Sequence, residues 1–125
     1  MSSRTDFLED AWLNHVTNQA TYSPPAGLYL ALFTVAPTGA GGGTEVTGGS
    51  YARQLISWGA VAGSVVENNT TLLFDGMPAV SVVASGIYDA LTAGNLLYYK
   101  PLTTTPVSDG QAVAFYAGTV TITAD

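Results

Sequence analysis

Two hydrophobic periodicities divide the chain. From about residue 6 to residue 18, Phe7, Leu8, Ala11, Trp12 and Val16 recur at helical spacing while Glu9, Asp10 and Asn14 fall elsewhere, which predicts one amphipathic helix. Thr5 or Asp6 can cap its start, and the acids of its first turn complement the helix dipole. Pro24-Pro25 cannot continue a helix, so this one should end before Tyr22. Beyond Pro25 the pattern changes to short runs rich in Val, Leu, Thr and Tyr, separated by turn residues, the sequence form of an antiparallel β domain.

About seven or eight strands are expected. Residues 28–34 and 112–117 are apolar on both alternating faces, so each should be a central strand covered on both sides. Residues 119–123 set Val120 and Ile122 against threonines and should be covered on one face only. Further strands are expected within 51–58, 64–67, 71–74, 80–84, 86–90 and 96–100. Asp109-Gly110 is the best hairpin signal, because this dipeptide suits a tight turn with positive φ, and residues 92–95 form a second turn candidate. The expected fold is a mainly β, antiparallel β-sandwich with one N-terminal helix, packed on one end or extended to a neighbour. All 125 residues fit a single domain: 1–25 as helix and arm, 26–125 as the sandwich, with a glycine-rich loop at 37–50.

Charge sharpens the picture. Hydrophobic residues make up 47% of the chain and charged residues only 10%, against the roughly 25% usual in soluble domains. So few charges suit a protein packed against copies of itself or other partners. The net charge is −6, with only Arg4, Arg53 and Lys100 positive, which argues against nucleic acid as a partner. No apolar run is long enough to span a bilayer and the N-terminus lacks signal-peptide order, so synthesis in the cytoplasm of the producing cell, with no membrane partner, is expected. The absence of cysteine removes disulfides, thiol nucleophiles and zinc-thiolate sites.

Candidate chemistry is sparse, and no enzyme, cofactor or metal site is expected. The single histidine, His15, sits on the predicted helix with no nucleophile placed beside it by any motif, and packing or solvent exposure is the favoured reading. Glu45, Glu67, Asp75, Asp89 and Asp109 could supply a glycosidase-type carboxylate pair only if folding brought two together. Most stand beside turn residues, and calcium binding by two such loops is left open without any EF-hand series. The glycine-rich segment has neither a P-loop ending nor a dinucleotide fingerprint. Asn68 and Asn69 each begin an N-glycosylation sequon and read more simply as turn residues. Tyr29, Tyr51, Trp58, Tyr98 and Tyr99 could form a sugar-stacking platform, although alternation sends Tyr98 and Tyr99 to opposite faces.

The run Leu28-Tyr-Leu-Ala-Leu-Phe-Thr34, then Pro37-Thr38 and Gly43-Thr-Glu-Val-Thr-Gly-Gly-Ser-Tyr-Ala-Arg53, resembles a family of small tailed-bacteriophage virion proteins. Phe7-Leu-Glu-Asp-Ala-Trp-Leu-Asn-His15, Gly86-Ile-Tyr-Asp-Ala90 and Gly94-Asn-Leu-Leu-Tyr-Tyr-Lys-Pro-Leu102 extend the likeness over most of the chain. Its members are often labelled tail-fibre-like, and similar small β-rich proteins serve as capsid cement. The resemblance implies a structural virion part, with capsid decoration preferred and a tail-fibre or tail-tip role as the rival. The partners it implies are the major capsid protein and copies of the chain, with a trimer as the preferred state. Tyr51 and Arg53 are candidate inter-subunit contacts, with core or loop anchoring equally open. Phe7, Leu8, Trp12 and Val16 would serve a neighbour as a clamp or, by a slight preference, pack on the domain itself.

Overall fold

The computed structural model describes residues 3–124. One helix, α1 (Asp6–Val16), follows a two-residue strand, β1 (Ser3–Arg4). The remaining strands are β2 (Tyr29–Val35), β3 (Thr44–Glu45), β4 (Gln54–Leu55), β5 (Val65–Glu67), β6 (Leu72–Phe74), β7 (Val80–Tyr88), β8 (Leu96–Val107), β9 (Val113–Phe115) and β10 (Thr121–Thr123). The principal sheet runs β1-β8-β7-β2-β3, with β4 also paired to β2, and every pairing is antiparallel. Two small sheets, β10-β5 and β6-β9, pack over one face and complete a sandwich-like arrangement.

Strand β2 is central and buried on both faces, as its unbroken apolar run predicts. Alternation sends Leu30 and Leu32 into the large core with Phe74, Met77, Val82 and Ile87, and sends Ala31 and Phe33 to a smaller cluster with Ala84 and Leu96. Gly86 lies where β7 crosses this second cluster. A Cβ there would come 2.8 Å from both the Phe33 ring and the Leu96 side chain, so the close approach requires glycine.

Several expectations change. Residues 80–84 and 86–90 belong to one continuous strand, because Gly86 keeps its ladder partner Tyr99 and does not break the pairing. Strand β8 runs on to Val107 through two prolines, and the glycine-rich segment itself contributes β3. Of residues 51–58 only Gln54–Leu55 form a strand, and Trp58 makes an isolated bridge to Asn68. The segment 112–117 is not a central strand: β9 belongs to a two-stranded sheet, with Ala114 and Tyr116 exposed. Its alanines supply apolar character without the bulk that would draw both faces into a core. Asp109-Gly110 does form a turn with positive φ at Gly110, but it links β8 to β9, which do not pair with each other. The β7-β8 hairpin closes instead through residues 89–95, where Ala93 and Gly94 have positive φ.

Candidate interaction surface

The helix begins where predicted. Thr5 is its N-cap, with its hydroxyl accepting from the Leu8 N–H at 3.4 Å and donating to the Leu96 carbonyl at 2.6 Å. The Thr5 N–H donates to the Leu97 carbonyl at 2.9 Å and the Asp6 N–H to the Gly39 carbonyl at 2.7 Å. The start of α1 is therefore bonded to both β8 and the glycine-rich segment. At its other end the Tyr22 N–H donates to His15 Nδ1 at 3.2 Å, which fixes that ring nitrogen as an acceptor.

Between these ends the helix barely enters its own domain. Only Leu8 is buried, with Ala11 half-buried beside it. Trp12, Leu13 and Val16 are each more than half exposed, and Phe7 is 43% exposed. The preference for packing Trp12 and Val16 on this domain is corrected: a helix tethered chiefly at its ends turns inward along the line of Leu8 and Ala11, and the other apolar side chains project outward. Glu9, Trp12, Leu13 and Val16 follow i, i+3, i+4, i+7 spacing and so share one face. His15 stacks on Trp12 with ring centroids 6.3 Å apart.

Tyr51 and Arg53 lie in an internal network. The Arg53 guanidinium forks onto Glu45, with Nε donating to Oε2 at 3.0 Å and Nη2 to Oε1 at 2.9 Å. Its Nη1 donates to the carbonyls of Ala90 and Ala93, both at 2.8 Å, and its central carbon lies 3.6 Å from the Tyr88 ring centroid. The Tyr51 hydroxyl donates to Glu45 Oε2 at 2.7 Å and accepts from the Leu32 N–H at 3.0 Å. This constellation ties β3, the segment before β4, the 89–95 turn and central β2 together. The arginine side chain is only 7% exposed. Both residues thus anchor the glycine-rich segment.

The electrostatics follow from burial. Burial raises the Tyr51 pKa well above the usual tyrosine value and its hydrogen bond to Glu45 adds to the rise, with the Leu32 N–H opposing in part. Burial alone would lower the Arg53 pKa, but the hydrogen bonds and charge of Glu45 carry it above the ordinary value. Gly49 completes the loop's path. Its φ is +56°, and a Cβ there would lie 2.5 Å from the Gly76 carbonyl oxygen, so both conformation and space require glycine.

Three of the five acids considered for catalysis are engaged locally, Glu45 by Tyr51 and Arg53, Asp89 by the Asn95 N–H and side-chain amide, and Asp75 by the Gly76 N–H, while Glu67 and Asp109 are exposed. Among the described residues no cluster of three or more His, Asp or Glu side chains is arranged to hold a metal. The proposed aromatic platform is taken apart by the fold, since Tyr51 and Tyr98 pack on the large core and Tyr99 on the small one. Trp58 lines a shallow groove of about 550 Å³ with Pro25, Leu28 and Leu55, and no charged side chain lines it.

Sequence reasoning missed Asn68, which is buried at 2% exposure. Its amide nitrogen donates to the Thr70 and Tyr116 carbonyls at 2.9 and 3.2 Å, and its oxygen accepts from the Gly118 and Val120 N–H groups at 3.1 and 2.9 Å. The folded chain cannot carry a glycan on that side chain. Its tandem asparagines suggested only a turn, and nothing local signals bonds to residues some 50 positions away.

No helix among the described residues is long and apolar enough to cross a membrane. The family profile described as "Podophage GP4 fiber I protein gp80" matches residues 3–123. No curated protein matches the chain. A match spanning nearly the whole sequence, over a mainly β fold, leads to one conclusion: the chain belongs to the family of the podophage GP4 fiber I protein gp80, structural proteins of the tailed-phage virion.

Proposed function

We propose that the chain is a non-catalytic fibre component of a tailed-phage virion, joined to its neighbours through helix α1. The observation that carries this reading is the exposed stripe of Trp12, Leu13 and Val16 on a helix bonded to the sandwich at its start and to the arm that follows it, through Tyr22, at its end. Covering those side chains would contribute roughly 1–2 kcal/mol each, before the costs of association. Because the helix is already positioned, little ordering entropy opposes that contact. The description of the matching family as a fibre protein favours the fibre over the head decoration that the resemblance and the low charge suggest. The role is then mechanical: the sandwich supplies a stiff body and the helix supplies attachment.

Immunogold electron microscopy of intact particles, with antibody to this chain, tests the assignment. Gold along the tail or its fibres is the expected outcome. Gold over the head would instead favour a cement role with the major capsid protein as partner, and unlabelled particles with a demonstrably accessible epitope would remove the virion assignment.

A further inference from the structure

The partner of α1 can be specified by its chemistry, an inference that rests on the attachment role proposed above. The apolar stripe carries Glu9 at its N-terminal end, and Asp6 and Asp10 lie exposed on the same turn and a half of helix. None of the three has an ion-pair partner among the described residues, where Arg53–Glu45 is the one salt bridge. The surface to be covered is therefore an indole and two aliphatic side chains next to three uncompensated carboxylates.

A second copy of this chain fits that surface poorly. Of its three cations, Arg53 is consumed within the fold, and Arg4 and Lys100 both belong to the β1-β8 edge. The pocket that Lys100 lines holds about 30 Å³, too small for an indole. The larger apolar groove beside Trp58 has room, yet no cation lines it. Two copies would also meet with a net charge of −6 each. We propose that α1 seats in an apolar groove rimmed by lysine or arginine on a different protein of the virion. The indole fills the groove, and the rim cations pair with Asp6, Glu9 and Asp10, setting the direction of the helix and speeding encounter.

Phage particles assembled without this chain are the probe, with purified chain added back and bound copies counted by quantitative mass spectrometry. Wild-type chain should bind, and its affinity should fall several-fold between about 50 mM and about 500 mM NaCl. Trp12→Glu and the double variant Glu9→Lys with Asp10→Lys should each lose about tenfold or more, while circular dichroism shows both folded. Wild-type binding by the charge-reversed variant, tighter binding by it, or no binding by the wild-type chain would overturn the proposal. So would a stable oligomer of the purified chain that Trp12→Glu dissolves, since α1 would then be a self-interface. Failure of the fibre reading is distinguishable: the added chain would bind through α1 as described but at the head, as seen by electron microscopy of the reconstituted particles.

Discussion

Arg53 shows how much one charge can organise in a chain with so few. It uses four of its five N–H groups on Glu45 and two loop carbonyls and stacks on Tyr88. Arg53→Ala would leave the Glu45 carboxylate and both carbonyls without it, and should cost about 2–4 kcal/mol in urea unfolding. Arg53→Lys should recover only a minor part, because an ammonium cannot reproduce the fork. Tyr51 adds a pH dependence. Its folded pKa lies above the unfolded value of 10.0, so the stabilisation is complete below about pH 10 and is lost as pH rises from there toward the folded pKa. The urea midpoint should therefore fall above about pH 10, and Tyr51→Phe should make that fall shallower; an unchanged slope would assign the alkaline loss to other tyrosines. The sequence offered Tyr51 and Arg53 as notable but could not choose between contact and anchor, since the carbonyls of Ala90 and Ala93 reach Arg53 only through the fold.

At the scale of the element, α1 is the part most clearly written in the sequence and the part whose role was least so. Its cap, first-turn acids and end before Tyr22 are local properties, set within a turn or two of helix, and all appear where expected. Which face turns inward is not local, because it depends on where Thr5 and Asp6 are bonded to β8 and Gly39. Two variants separate the faces. Leu8→Ala should lower stability by about 2–3 kcal/mol in thermal or urea unfolding, as expected for a truncated buried leucine. Trp12→Ser should change it by less than about 0.5 kcal/mol, as expected at an exposed site. Equal losses at both positions would mean that Trp12 is buried in this chain's own core. The β-strands divide in the same way. β2 is legible because bulky residues fill both of its faces, whereas residues 112–117 carry alanines that a periodicity count scores like leucines and that a small edge sheet leaves in solvent.

For the whole molecule, the long β7-β8 pairing and central β2 form one rigid sheet, and the short β5-β10 and β6-β9 pairs depend on side-chain staples such as Asn68. Asn68→Ala removes four hydrogen bonds to buried or partly buried backbone and should cost about 2–4 kcal/mol. Hydrogen exchange should show the lost protection concentrated in β5, β9 and β10, with β2 and β7 retained; uniform loss would mean that the two layers unfold as one unit. By itself the sequence determined the mainly β class, the single helix and its cap, the both-face burial of β2 and the virion family, because each rests on local periodicity, side-chain chemistry or an ordered series of motifs. Only the tertiary structure decided that Glu45, Tyr51 and Arg53 lock the glycine-rich segment, that Asn68 is a buried staple, and that Trp12, Leu13 and Val16 face outward. Those outcomes depend on which distant backbone groups come within hydrogen-bond reach and on which face the neighbouring strands have room to cover, and neither is a property of any one stretch of chain.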